Sequence, residues 1–360
     1  MLDTIVLIIP MDEVQVADQS VFKSLFYERN KRVLNARAGE YAPRLTFSRA
    51  VRLGGYSEAL KIEVSAPKLL FGNNFAEVVG TDYDAFIDRL QSKMASRGVS
   101  VSADTLRNAE PVGIHYSKNV VFDDATPCSL LIQTLSKLDV SRRFDFMDTN
   151  YKNGGDGIKW HTNSFELAFY DKVAELKAAK VSEKRSVERD SACQMDLLPR
   201  LLEHPELSVL RMEVRLNKRK KIKDALANAG YEGTFTLTDL FSEIPARAVL
   251  SYYWREFIKP SLGLVLVAEK SAEVLFYRLK AGNATTSEIL KLLGAMELIK
   301  SAGVARLRTM LKPTQRRGIT KALSVLNASD CYLHDHFRRV ERAIDDQIPI
   351  SSKYFILSRN

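Results

Sequence analysis

Cysteine is scarce in this chain: three residues in 360, at Cys128, Cys193 and Cys331, none of them in a C-x-x-C pair. An odd, scattered set supplies neither a disulfide framework nor a structural zinc site. Histidine is nearly as rare, with five residues, and GxxxxGK[ST], GxSxG and HExxH are all missing. A P-loop NTPase, a serine hydrolase of the common type and a zincin therefore have no support in the sequence. No apolar run approaches the roughly 20 residues a membrane span needs. The opening MLDTIVLIIP has an acid where a signal peptide carries base, and its apolar stretch Ile5–Ile9 is short, so it reads as a buried strand. Repeats, low-complexity tracts and obvious linkers are also missing. A soluble cytoplasmic protein with no membrane partner is the expectation.

What is present is an ordinary globular balance, 46% hydrophobic and 27% charged, with 53 Lys plus Arg against 44 Asp plus Glu and a net charge of +9. That balance rules out wholesale disorder, and the cationic excess favours a polyanionic partner. The first two-thirds alternate between strand and helix patterns. Strands are predicted at 4–9, 44–53, 59–65, 112–122, 157–160, 165–170 and 209–216, where β-branched and aromatic residues concentrate. Thr81 is placed to cap a helix running to Arg97 with Phe86, Leu90 and Met94 inward and Gly98 at its end, and 126–138 forms another with Leu130, Leu131 and Leu135 inward. A third, mostly charged helix from Lys172 to about Asp190 is expected to cross solvent or lie against DNA. Beyond Tyr231, 287–301, 304–311 and 315–327 read as helices broken by Gly303 and Pro313. The expectation is an α+β part over 1–232 and a mostly helical part over 233–360.

Two arrangements bear on chemistry. His334-Asp335-His336 has the spacing of a paired metal ligand on a strand, but its flanks are helical, and residues two apart on a helix diverge. It reads as a solvated helix face. The second arrangement lies on strands of the first part, where Glu63, His115 and Glu213 each sit between apolar neighbours. Period-2 alternation puts each on the opposite face from its neighbours. Three such strands can build one oxygen/nitrogen site suited to Mg²⁺ or Mn²⁺, or simply present three residues to water.

Four ordered segments, KIEVSAPKLLFGNN (61–74), VGIHYSKNVVF (112–122), WHTNSFELAFYDK (160–172) and LRMEVRLNKRKKIK (210–223), together with the opening strand, resemble the gene II/X family of phage and plasmid replication proteins. These are the rolling-circle initiators of filamentous phages, and the resemblance covers about residues 1–225. It implies an antiparallel-sheet endonuclease core flanked by helices, with a nicking and rejoining activity that passes through a 5′-phosphotyrosyl link. Residue by residue, Tyr170 matches the nucleophile, Lys172 its neighbouring lysine and Glu63 the acid of the carboxylate strand. The family's S-R-hydrophobic-D strand falls on Leu135–Asp139 or on Gly113–His115. The second is preferred, because strand, helix and hairpin follow it before the tyrosine; His115 then stands in place of the family's aspartate. Glu213 is the third metal candidate, and His161 an additional ligand or phosphate contact.

The implied partners are single-stranded or hairpin origin DNA, a host helicase and a polymerase. A plasmid relaxase with the same chemistry and a catalytically silent origin-binding protein are the alternatives. Two basic runs fit a DNA partner. Arg211, Arg215, Lys218, Arg219, Lys220, Lys221 and Lys223 pass from the Glu213 strand into a helix that Asn217 is placed to cap, and 300–321 holds seven cations and no acid across a turn between two helices.

Overall fold

Alternation along the strands sorts their side chains onto two faces, and this sorting builds the fold. The computed structural model describes residues 1–17, 41–52, 55–140, 148–152, 156–180, 204, 206–324, 326, 328 and 331–350. The strands are β1 (Leu2–Pro10), β2 (Val14–Val16), β3 (Arg44–Arg52), β4 (Gly55–Ser65), β5 (Val99–Val101), β6 (Gly113–Phe122), β7 (Asp148–Lys152), β8 (Gly157–Thr162), β9 (Phe165–Asp171) and β10 (Ser208–Asn217). Eight of them form one sheet in the order β3-β4-β1-β6-β10-β9-β8-β7, and β2 pairs with β5 apart from it. The neighbouring strands of the large sheet run antiparallel.

One face is apolar. Ile5, Leu7, Ile62, Val64, Ile114, Tyr116, Leu167, Phe169, Met212 and Val214 alternate along five strands and are all buried. Burying each such large side chain contributes about 1.5–3 kcal/mol, which fixes the register against a one-residue slip. The C-terminal helices supply the cover. Tyr253, in the helix Glu243–Tyr253, stacks on Phe165 at 4.6 Å, and Trp254 lies 6.3 Å from Phe169. The Tyr116 hydroxyl donates to the Leu240 carbonyl at 2.9 Å. The helix Leu333–Asp346 buries Phe337, Val340 and Ile344. Its His334 and His336 sit on the helix as expected but are half-buried, His336 against the Phe122 ring at 5.9 Å, so the solvated face read from the sequence is corrected to a packed one. A single buried core runs through the sheet and these helices, across position 232.

The α+β class holds, with helices at 286–302, 304–310 and 313–324 close to their expected places. Pro313 begins its helix, where its missing N–H costs nothing. Three more local expectations are corrected. The helix placed after Thr81 starts at Tyr83, preceded by a 3₁₀ turn Gly80–Asp82 in which the Asp82 carboxylate accepts from the Val79 N–H. The helix from Lys172, described to Lys180, does not cross solvent. Its Val173 and Leu176, one turn apart, close a second small core with Phe75, Leu207 and Val209. Asn217 caps no helix; Lys218 occupies that position, and the Asn217 amide is used elsewhere. Cys128 and Cys331 are free and buried, while Cys193 lies outside the described residues. Among the described residues no helix is long and apolar enough to cross a membrane.

Candidate active site

The other sheet face carries the polar residues, and the strand order brings the central ones together. Residues paired directly across an antiparallel ladder share a face. His115 on β6 pairs with Thr4 on β1 and Arg215 on β10, and Tyr170 on β9 pairs with Arg211 on β10. Glu213 lies two residues along from each of those arginines, so its carboxylate sits between them.

That carboxylate is the hub. It is 2% exposed and accepts from the Arg215 Nε at 2.8 Å, the Arg215 Nη2 at 3.1 Å and the Tyr170 hydroxyl at 2.8 Å. Burial alone would raise its pKa, but the Arg215 and Arg211 guanidinium groups outweigh burial and hold it well below the carboxylate range. The His115 Nδ1 lies 3.7 Å from Glu213 Oε1, and its Nε2 lies 3.3 Å from the Asn217 side-chain oxygen. Burial and the nearby Arg215 charge lower the His115 pKa, which leaves the imidazole neutral, its ligating form, at pH 7. Asp3 of β1 completes the group: one ligand atom from each of Asp3, His115 and Glu213 lies within 4.8 Å of the others.

These donors fit a small hard cation. Asp3 Oδ1 is buried with no hydrogen-bond partner, its nearest cation being the Arg211 Nη2 at 3.5 Å. A carboxylate offers about four acceptor sites, and Glu213 uses three, so one remains. Two carboxylates and one imidazole are an oxygen-rich set that suits Mg²⁺ or Mn²⁺.

The predicted residues divide around this centre. His115, Glu213, Tyr170, Arg211 and Arg215 meet there. Glu63 shares the polar face, but it pairs with Val6 on the far side of β1, and its carboxylate lies 3.5 Å from Lys61. It does not join the group. Asp139 follows the helix Cys128–Ser136 and lines a cleft with Glu256 and Arg316, away from the sheet centre. His161 lies on β8, opposite Glu166, two strands from Glu213. Lys172 is buried beside the centre: its ammonium donates to Glu175 at 2.6 Å and lies over the rings of Tyr170 and Phe75 at 5.6 and 5.8 Å, so it faces the ring and not the phenol oxygen. Arg211, 1% exposed, donates to the Asn74 carbonyl and the Ser117 hydroxyl, and it is therefore an internal residue and not a surface contact for DNA.

Arg215 reaches outward, joining Glu213 to Glu166 at 3.0 Å, and Lys159 binds Glu166 at 2.9 Å. Of the basic helix, Arg219 and Lys223 pair with Glu110 at 3.1 and 3.3 Å, and Lys221 lies over the Phe165 ring at 5.4 Å. Lys218 and Lys220 are exposed. Sequence reasoning missed Asp3; its signal was an acid inside the opening strand, in phase with no other marked residue.

Burial, then the negative Glu213, push the Tyr170 phenol well above its ordinary value. The hydroxyl is therefore protonated at rest and donates to Glu213. No family model, curated protein or solved structure matches this chain.

Proposed function

We propose that the chain is a rolling-circle DNA replication initiator of the gene II/X type, a nicking and joining endonuclease that acts through Tyr170. The observation that carries this reading is the 2.8 Å hydrogen bond from the Tyr170 hydroxyl to Glu213, inside the cluster of Asp3, His115 and Glu213. An antiparallel sheet with its polar centre on one face supports the expected endonuclease-like core. Asp3, His115 and Glu213 would hold a divalent cation, which polarises the scissile phosphate and offsets charge in the transition state.

Glu213 is held ionised by Arg215, so it orients the hydroxyl and is a poor proton store. The Tyr170 oxygen attacks phosphorus, the bond from phosphorus to the 3′-oxygen breaks, and the 5′-phosphotyrosyl ester keeps the energy needed for rejoining. The hydroxyl proton passes to solvent, and the released 3′-oxygen takes one up to become the primer hydroxyl.

The test is incubation with an origin oligonucleotide and Mn²⁺, followed by denaturing electrophoresis. Wild type should give a covalent adduct. Tyr170→Phe keeps the packing and should bind the oligonucleotide without forming one. An undiminished adduct in that variant moves the role to another tyrosine. No adduct from wild type, with binding intact, leaves the catalytically silent origin-binding reading.

A further inference from the structure

The basic run 300–321 has no part in the centre described above. Its seven cations lie on the end of the helix Thr286–Ala302, the helix Val304–Met310, the two-residue turn Leu311–Lys312 and the helix Pro313–Ser324. Lys300, Arg306, Lys312, Arg317 and Lys321 are exposed, and among the described residues none of the five is in an ion pair. Elsewhere in the helical part Arg255, Lys259 and Arg339 pair with Asp345, Glu341 and Asp123 at 3.0, 2.6 and 2.9 Å. Arg247, Lys280, Arg338 and Arg342 are also exposed and, among the described residues, outside any ion pair, so what distinguishes 300–321 is seven cations in one stretch with no acid among them.

The helix Pro313–Ser324 shows how the surface is organised. Arg316, Ile319, Thr320 and Leu323 form its inward stripe, at spacings of three and four residues. Thr314, Arg317, Gly318, Lys321 and Ser324 form the opposite, exposed face. That face has two cations flanked by small residues and no large apolar group, so it lacks the buried wedge an interfacial membrane helix needs. Single-strand binding rests on bases stacking on aromatic rings. The stretch 300–328 contains no Phe, Tyr, Trp or His. What remains is a helix of major-groove width, preceded by a short helix and turn, with two cations one turn apart on its exposed face and others on the elements before it. Helix-turn-helix readers likewise follow a short helix and turn with a helix that enters the major groove.

We infer that residues 300–324 form a second nucleic-acid surface, one that grips double-stranded DNA through its phosphates and seats the helix Pro313–Ser324 in the major groove. The surface is separate from Tyr170, and it stands whether or not the nicking reading does. In an initiator it would hold the duplex flank while the sheet works on the exposed strand.

The experiment measures affinity of the full chain for a short random duplex and for oligo(dT) over a salt series, in metal-free buffer so that no strand is cut. The variant changes Lys300, Arg306, Lys312, Arg317 and Lys321 to Gln. Each duplex phosphate contact contributes about 0.9 to the slope of log affinity against log salt, so about three contacts lower the slope by roughly 2.7. The oligo(dT) slope should stay at its wild-type value. Arg317→Gln with Lys321→Gln alone should lower the duplex slope by about 1.8, which covers the case in which the larger variant folds poorly. Neutralising the paired Arg255, Lys259 and Arg339 should leave it unchanged. An unchanged duplex slope in both test variants, or an equal loss on oligo(dT), overturns the inference. Tyr170 adducts are scored separately, so their absence bears on the nicking reading alone.

Discussion

Glu213→Gln is the change that most directly tests the hub of the polar face. The carboxylate is 2% exposed and accepts three hydrogen bonds, two from Arg215 and one from Tyr170. Gln keeps the shape but turns one acceptor oxygen into a donor, so an N–H of Arg215 or the Tyr170 hydroxyl then faces another donor. Breaking a buried ion pair from one side costs about 3–5 kcal/mol. Arg215 is a third exposed and keeps Glu166 at 3.0 Å, so solvent and that second carboxylate soften the loss to about 2–3 kcal/mol.

The pH dependence has a definite sign. The folded-state pKa of Glu213 lies below its unfolded value of about 4.3. Its contribution is therefore fully present above about pH 5 and is lost as pH falls through the folded value. Urea unfolding, followed by fluorescence of the buried Trp160 and Trp254, should show a constant gap between wild type and variant from about pH 5 to 8. The gap should narrow below about pH 4. A variant within about 0.5 kcal/mol of wild type at pH 7, or a gap that does not change on acidification, would refute the assignment of Glu213 as an ionised, doubly anchored carboxylate.

Three further outcomes follow from the same geometry. Asp3→Asn and His115→Ala should each raise the Mn²⁺ needed for adduct formation by about tenfold or more, since even an outer-shell partner is worth about 10–100-fold, while Glu63→Gln should leave the Mn²⁺ titration where it was. Changing Lys218, Arg219, Lys220, Lys221 and Lys223 to Gln should lower the single-strand salt slope by about 1.4, equally for origin and random oligonucleotides, because Arg219 and Lys223 already serve Glu110 and Lys221 faces a ring. Lys118→Met should cost about 3–5 kcal/mol in urea unfolding: Lys118 and Glu77 are both buried and 2.5 Å apart, and the substitution leaves the Glu77 carboxylate without its cation.

The faces of the sheet were legible in the sequence, and the distances across it were not. Glu63, His115 and Glu213 stood out because each interrupts an apolar alternation, and all three do lie on the polar face. Alternation says which side a residue takes, but says nothing of which strands are neighbours. The order β4-β1-β6-β10 decides membership: β1 stands between Glu63 and His115, so the acid that reaches His115 is one that β1 itself supplies. Asp3 had only a weak local signal, since an acid at the start of an apolar run also fits a plain strand end.

The same gap between local pattern and long-range pairing explains the two corrections beside the centre. The charges on the helix from Lys172 suggested solvent, yet Val173 and Leu176 meet Phe75, which arrives from nearly one hundred residues away in sequence. Asn217 has the chemistry of a helix cap, but the β6–β10 register sets it opposite Gly113, where its amide oxygen reaches His115. A motif resemblance, and not its own pattern, points to Tyr170, since an aromatic on FELAFY is ordinary core. Here register supplies what composition lacks. Tyr170 pairs with Arg211, and the side chain two residues further along β10 is Glu213, so the phenol meets a carboxylate instead of another apolar group. A shift of one residue in the β9–β10 pairing would send Tyr170 to the apolar face and leave Glu213 with Arg215 alone.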